Sequence, residues 1–290
     1  MEQIVADDGK APLKGIAFML VTMLTFASQD AITKLLAQDL HVAQIVMVRY
    51  WLFAAVATVL IGRQQGGIGL ALRARRPWLQ ILRSTIFVVE VGMFAWVVAH
   101  MPLSTAQALF AGCPLMVTAL SPLVLGEKVG RLRWIAVIVG FVGVVIILRP
   151  GGGDFFPVGL VALLGTAMFA VYSLLTRLLA KEDRFETSYG YVAWIGCLMA
   201  SAVGPFLWQN PSPGQILGLL VISCTGVLGH MLLMKAYELV PASVLQPFSY
   251  TQLVWGIFIG IMVFGEYPDA PMLLGASIVV VAGIIAMRAR

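Results

Sequence analysis

The sequence predicts an all-α polytopic membrane protein with ten transmembrane helices, arranged as two inverted five-helix repeats. Three observations lead to this prediction: the composition, the length of the apolar runs, and a set of polar residues that recurs in register. Of the 290 residues, 60% are hydrophobic and only 11% are charged, and the mean hydropathy is +0.94. Soluble domains carry about one-quarter charged residues, so this composition excludes a soluble protein.

The apolar runs decide between helices and strands. A helix needs about 20 mainly apolar residues to cross the hydrocarbon core, whereas a barrel strand needs only about 10 residues with strict alternation. The runs here are long and lack alternation, so they predict helices. In chain order the predicted spans are residues 13–36, 42–62, 78–100, 103–125, 133–149, 156–179, 187–208, 214–236, 241–264 and 270–287.

Charged or Gly/Pro-rich segments separate these spans. Pro102 and Pro241 open the fourth and ninth spans, while Gly66-Gly67-Ile68-Gly69 and Gly151-Gly152-Gly153 are interpreted as linkers because no nucleotide-loop lysine follows them. With this division, sixteen of the 19 lysines and arginines lie at the face that carries both termini. The positive-inside rule therefore predicts a cell inner-membrane protein with cytoplasmic N- and C-termini.

Polar residues recur between the two halves, 1–150 and 151–290. Thr33-Lys34 corresponds to Thr176-Arg177 at a shift of 143 residues, and a second set corresponds at a shift of 139 residues. That set pairs Pro102, Ser104, Gln107, Gly126, Glu127 and Arg149 with Pro241, Ser243, Gln246, Gly265, Glu266 and Arg288. Such recurrence indicates an internal repeat. Because each half has five spans, the second half enters the membrane from the opposite side, as in secondary transporters with a midplane site.

Two short motifs add a family resemblance. Leu125-Gly126-Glu127 and Phe264-Gly265-Glu266 each precede the glycine-containing final span of their half. With the five-plus-five plan, they resemble the two EamA modules of the drug/metabolite transporter superfamily over nearly the whole chain. The resemblance implies a bacterial exporter of amino acids, aromatic ones among them, or related metabolites. Sugar-phosphate and nucleotide-sugar carriers share the plan, so that alternative cargo stays open.

Ionisable residues within spans are candidates for function because burying a charge in hydrocarbon costs about 3 kcal/mol or more. Glu90 lies midway along the third span and is a candidate for proton coupling or for binding a substrate amine. Arg49, in the second span, either pairs structurally with Glu90 or holds a substrate carboxylate in a bidentate manner. Asp30 and Lys34 are four residues apart and are expected to form a local pair.

Polar and aromatic side chains supply the other candidates. Residues with polar groups that need a partner are predicted to line a cavity between the halves, although polar helix packing is the alternative; they are Gln29, Gln107, Tyr172, Gln246 and Tyr250. His230 either couples protons or satisfies a packing hydrogen bond. Phe94 and Phe110 either shape an apolar pocket or pack. Pro114 and Pro247 are predicted hinges, with static kinks as the alternative.

The predicted function is secondary transport of amino acids or similar small metabolites, by alternating access through a cavity between the repeats. No nucleophile set, metal-ligand spacing or cofactor motif is recognised, and we expect no nucleic-acid partner. The expected contacts are a small-molecule substrate and membrane lipid, with the chain a monomer. A membrane enzyme acting on a lipid intermediate would need a clustered acid, base or metal site. A phosphate carrier would need paired interior cations, and Arg49 is the only one expected.

Overall fold

The computed structural model describes residues 11–64, 66–150, 156–240 and 242–288. Some side chains within these ranges, including that of Gln246, lie outside the description. Throughout the described residues the regular structure is helical, with no strand. The all-α prediction is therefore confirmed.

Thirteen helices and one short 3-10 turn form the described chain. In the first half they are α1 (Ala11–Leu36), α2 (Val42–Gly62), α3 (Gly67–Ala71), α4 (Pro77–His100), α5 (Leu103–Phe110), α6 (Cys113–Leu125) and α7 (Arg131–Leu148). In the second half they are α8 (Phe156–Leu179), α9 (Phe185–Val203), the 3-10 turn Gly204–Leu207, α10 (Pro213–Leu239), α11 (Ala242–Ser249), α12 (Thr251–Phe264) and α13 (Ala270–Arg288).

Ten helical segments of the described chain are long and apolar enough to cross a membrane, and they coincide with the ten predicted spans within a few residues. Two differences are informative. The short helix α3 begins at Gly67, inside the predicted linker, and extends to Ala71. Gly66, just before it, has φ 98°, a left-handed conformation that glycine readily adopts. The predicted fourth and ninth spans are each broken into two helices, α5–α6 and α11–α12.

The breaks in these two spans occur at repeat-related positions. The fourth span breaks at Ala111, and the ninth span breaks at Tyr250, which is the corresponding residue at the shift of 139. Pro114 begins the segment after the first break, whereas Pro247 lies inside α11 before the second. The two prolines therefore flank the breaks from opposite sides. A hinge role for them stays a prediction.

Helix packing follows the repeat. α1 packs against α10 and α12, and the corresponding helix of the second half, α8, packs against α4 and α6. Helices α2 and α9, which correspond to each other, are in contact, as are α7 and α13. Exchanging the two halves thus reproduces these contacts. The α7–α13 contact is close because Gly143 and Gly275 face each other, so that a Cβ on Gly143 would lie 2.7 Å from the Gly275 carbonyl oxygen.

The two motif glycines end helices in the same way. Gly126 follows α6 with φ 68°, and Gly265 follows α12 with φ 65°. This left-handed conformation is the usual helix stop and is readily adopted by glycine. The glutamates after them, Glu127 and Glu266, are therefore released from the helices at the membrane faces. Below, the N-terminal face is the one at which α1 begins, and the opposite face is the one at which α1 ends.

Candidate functional site

Asp30 is the centre of a buried hydrogen-bond network between the halves. Its Oδ2 accepts from Gln107 Nε2 at 3.1 Å and from Gln252 Nε2 at 3.2 Å. These three residues belong to α1, α5 and α12. Two amide donors on one carboxylate oxygen fix its orientation. The network thus holds the Asp30 carboxylate in the interior of the helix bundle.

Arg49 and Glu90 stand beside this carboxylate. Arg49 Nη2 donates to Gln29 Oε1 at 3.1 Å, and the guanidinium attracts both Asp30 and Glu90 electrostatically. Within the described chain no ion pair joins Arg49 to Glu90, so the predicted structural alternative for these two residues is wrong. Together these side chains form what we call the polar cluster: Gln29, Asp30, Arg49, Glu90, Gln107 and Gln252.

Two glycines make room for the amides of the polar cluster. A Cβ on Gly256 would overlap the side-chain amide of Gln107. A Cβ on Gly226 would lie 3.4 Å from Gln29 Oε1 and 4.0 Å from Arg49 Nη2. Both glycines lie within helices of the second half, α12 and α10. The amides of the first half therefore rest directly on second-half backbone.

A cavity of about 50 Å³ adjoins the cluster. It is lined by α2, α4 and α10 through Arg49, Tyr50, Phe53, Phe87, Val91, Ser223, Gly226, Val227 and His230. Among the buried polar atoms of the described chain, Gln29 Nε2, Gln107 Oε1 and the Tyr50 hydroxyl have no hydrogen-bond partner. Buried polar groups are normally paired. One donor, one acceptor and one hydroxyl are therefore available to hydrogen-bond a ligand.

Aromatic side chains form a continuous wall on the α4, α5 and α8 side. Phe87 stacks on Tyr172 with ring centroids 4.4 Å apart, and Phe110 contacts Phe94 and Phe169 at centroid distances of 5.2 and 5.0 Å. Phe169 in turn lies 5.7 Å from Tyr172. We call these five residues the aromatic wall. It presents flat apolar surface of the kind that favours ring stacking.

Arg83 is a second interior cation, which corrects the expectation that Arg49 is the only one. Only 1% of Arg83 is exposed, because α4 turns it into the bundle rather than toward the basic face. It donates to Thr176 Oγ1 at 3.0 Å and to the Ser188 carbonyl at 2.6 Å, and it lies over the Tyr172 ring at 5.4 Å. Arg83 therefore supports the aromatic wall from the N-terminal face.

The predicted pair of Asp30 with Lys34 is also wrong. Lys34 forms an ion pair with Glu266 at 2.6 Å and donates to the Met101 carbonyl at 2.7 Å. The spacing of four residues allows a local pair, but the glutamate released by Gly265 meets Lys34 at the end of α1, while Asp30 is held by amides deeper in the bundle. Tertiary contacts override the local one.

Three further residues were predicted to lie at the cavity: His230, Tyr250 and Gln246. His230 lines the pocket and its Nδ1 lies 2.9 Å from the Gly226 carbonyl oxygen, so it has both a cavity position and a local hydrogen bond. The Tyr250 hydroxyl instead contacts the backbone of Gly283 in α13. The side chain of Gln246 lies outside the described residues. In the part of the chain that the structure describes, no group of His, Cys, Asp and Glu residues has metal-site geometry.

Asp30, Gln252 and Phe87 are site residues that were not predicted from the sequence. Gln252 carried the same signal as Gln107, an amide within an apolar span, and was available on that ground. Asp30 was assigned to a local pair, and Phe87 gave no signal that distinguishes a cavity phenylalanine from a packing one. By contrast, Gln29, Arg49, Glu90 and Gln107 converge as expected.

Similarity to known proteins adds independent findings. The sequence model of the EamA-like transporter family matches residues 13–149 and 157–288. A riboflavin transporter of Vibrio cholerae is 31% identical, covering 93% of this chain and 92% of that protein. An S-adenosylmethionine uptake transporter of Rickettsia conorii is 26% identical, with coverage of 93% and 91%.

Two further similarities concern an exporter and a solved structure. The pseudopaline exporter CntI of Pseudomonas aeruginosa is 26% identical, covering 95% of this chain and 96% of that protein. The crystal structure of another protein superposes on this chain with a TM-score of 0.64 at 15% identity, covering 97% of this chain and 98% of that one. That likeness concerns the fold alone.

Proposed function

Because the chain belongs to the EamA-like transporter family and is a multi-pass membrane transporter, we propose that its substrate carries an amino-acid head group and a flat ring. Substrates of this class include aromatic amino acids and S-adenosylmethionine. The observation that supports the proposal is the meeting of one guanidinium and two carboxylates beside the aromatic wall. In this proposal, transport proceeds by alternating access between the two repeats.

The charges of the polar cluster suit a zwitterionic head group. Arg49 offers a fork of donors to a substrate carboxylate, with Gln29 orienting it. Asp30 and Glu90 offer two carboxyl groups to a substrate ammonium or sulfonium, beside the one guanidinium of Arg49. A site with this balance favours substrates with positive charge and disfavours phosphates.

The second interior cation does not favour a phosphate carrier. Arg83 is buried and directs two of its nitrogens to Thr176 and Ser188. Its role as a support for Tyr172 leaves Arg49 as the cation beside the pocket. A sugar-phosphate or nucleotide-sugar cargo would thus face two carboxylates with one facing guanidinium.

The aromatic wall supports a ring on the substrate. The named relatives transport riboflavin and S-adenosylmethionine, and both molecules contain flat fused rings. Riboflavin lacks the amino-acid head group, so it is the second candidate and rests on the aromatic wall alone. S-adenosylmethionine combines the head group, a positive charge and the ring, and therefore uses both parts of the site.

The direction of transport follows the imposed gradients in a secondary transporter. Relatives include both an uptake transporter and an exporter. We propose amino-acid export in the cell inner membrane, by a monomer surrounded by lipid. The basic N-terminal face supports a cytoplasmic position for both termini. A transporter family also argues against the alternative of a lipid-modifying enzyme.

Counterflow in liposomes tests the substrate class. Liposomes that contain the purified protein and are preloaded with unlabelled tryptophan or S-adenosylmethionine should accumulate the labelled compound saturably. Riboflavin should compete less well than either compound. Arg49→Gln should weaken competition by tryptophan about tenfold, because a charge-assisted carboxylate contact is lost, and leave competition by tryptamine unchanged. Equal weakening for both amines would refute the head-group assignment, and saturable flux of riboflavin alone would favour the second candidate.

A further inference from the structure

Two ion pairs at opposite membrane faces are related by the internal repeat. Lys34 pairs with Glu266 at 2.6 Å, and Arg177 pairs with Glu127 at 2.7 Å. Lys34 corresponds to Arg177 at the shift of 143, and Glu127 corresponds to Glu266 at the shift of 139. Each pair joins one half of the chain to the other. Lys34–Glu266 lies at the opposite face and Arg177–Glu127 at the N-terminal face.

The two pairs differ in burial. The side chains of Lys34 and Glu266 are 12% and 20% exposed, whereas those of Arg177 and Glu127 are 62% and 37% exposed. The buried pair also holds the connection between α4 and α5, since Lys34 donates to the Met101 carbonyl and Glu266 Oε2 accepts from the Leu103 amide at 2.8 Å. The two repeat-related ion pairs therefore differ in exposure and in backbone contacts within the same molecule.

The helices beside the two pairs differ modestly in burial. α5 packs against α12, and its Ala106, Ala108 and Leu109 are buried. Of the corresponding residues of α11, Leu245 is also buried, whereas Pro247 and Phe248 are partly buried. At two of these three positions the helix beside Lys34–Glu266 is thus the more buried one.

We infer that Lys34–Glu266 and Arg177–Glu127 are two alternating latches, of which the first is closed in this structure. Closing the N-terminal face brings Arg177–Glu127 into a buried setting like that of Lys34–Glu266, while the latter separates and becomes exposed. The repeat makes these two arrangements equivalent by exchange of the halves. The motif glycines serve this role because they end α6 and α12 and free the glutamates to cross between the halves.

Removing a glutamate from each of the two latches should shift the balance between the two states in opposite directions. Removing one partner of a buried pair leaves an uncompensated charge and is costly, whereas an exposed pair contributes little. Loss of Glu266 should therefore destabilise the state seen here and favour opening of the opposite face. Loss of Glu127 should destabilise the alternative state and favour the one seen here.

A single cysteine reporter reads both effects. Ser104 is buried in α5 beside the closed latch, and Ser104→Cys is placed in a background with Cys113, Cys197 and Cys224 replaced by alanine. Maleimide labelling of the purified protein in nanodiscs should be about tenfold faster with Glu266→Gln and at least about twofold slower with Glu127→Gln. Glu266→Asp keeps the negative charge that faces Lys34 and should raise the labelling rate less than Glu266→Gln does.

Each result decides the proposal. Labelling that rises with both glutamine variants indicates general loosening and overturns it, as does a rate that Glu127→Gln leaves unchanged. Because the Arg177–Glu127 pair is exposed, Glu127→Gln tests the latch even where Glu266→Gln does not fold. Glu266→Asp then tests the Lys34–Glu266 pair with its charge kept. The inference rests on the alternating access of the proposed function, but labelling needs no substrate. A failure of counterflow is therefore distinguishable from a failure of the latches.

Discussion

Gln107 donates to Asp30 across 3.1 Å, and this hydrogen bond joins α5 to α1 at the centre of the polar cluster. The two residues are 77 positions apart in the sequence. A second amide, from Gln252 of α12, reaches the same carboxylate oxygen. Three helices from both halves therefore meet at one carboxylate. We therefore expect motion of either half to change the surroundings of Asp30, which would link the proposed substrate site to the proposed alternating access.

Replacing the carboxylates separates their roles from that of Arg49. Asp30→Asn should weaken competition by tryptophan and by tryptamine alike, about tenfold or more, because both carry the ammonium group that the carboxylate attracts. Glu90→Gln should act in the same direction. The measurement is inhibition of counterflow in liposomes, with Glu186→Gln as a control outside the site. Unchanged inhibition by tryptamine in both variants would exclude an ammonium-binding role.

Gly256 tests the packing beneath Gln107. In Gly256→Ala the new Cβ overlaps the Gln107 amide, so we expect loss of the Asp30 contact and a stability cost of about 1–3 kcal/mol. Gly92→Ala is the matched control, since nothing lies within 4 Å of a Cβ there, and replacing a helical glycine without a clash is neutral or stabilising. Apparent melting temperatures in detergent should separate the two variants. Equal values would show that Gln107 is not held as described.

Arg83 should be needed for the shape of the aromatic wall. Arg83→Met removes hydrogen bonds to Thr176 and Ser188 and the contact over Tyr172. We expect a lower melting temperature and weaker competition by ring-bearing substrates. Arg76→Met, at an exposed arginine of the same face, is the control and should change the melting temperature little. Should Arg83→Met leave both quantities unchanged, the support of Tyr172 by Arg83 would be disproved.

The ion pair of Arg149 with Asp269 predicts a small dependence of stability on pH. The hydrogen bond from Arg149 lowers the pKa of Asp269 below its usual value. The associated stability is therefore present above the pKa of the unfolded chain and is lost as pH falls through the lower pKa of the folded protein. Because the side chains are 41% and 52% exposed, the effect should stay below about 1 kcal/mol. Melting temperatures of the wild type and Asp269→Asn should converge toward pH 3.

The spans and their repeat were available from the sequence alone, for a physical reason. Hydrocarbon leaves a backbone only internal hydrogen bonds, so long apolar runs must be helices, and their number and ends follow from composition. The match of Glu127 to Glu266 and of Lys34 to Arg177 also needs only the printed residues. Interior positions for Gln29, Arg49, Glu90 and Gln107 followed from the cost of burying polar groups in lipid, whereas their cavity role stays a prediction.

Tertiary structure alone decided which of these residues meet. Asp30 binds Gln252 across 222 positions rather than Lys34 on the next turn of its own helix, and Arg83 faces the bundle rather than the basic surface. Helical periodicity specifies faces of one helix but not the rotation of ten helices about one another. The unequal burial of the two repeat-related ion pairs likewise comes from tertiary packing, because the matching residues of the two halves do not distinguish the pairs.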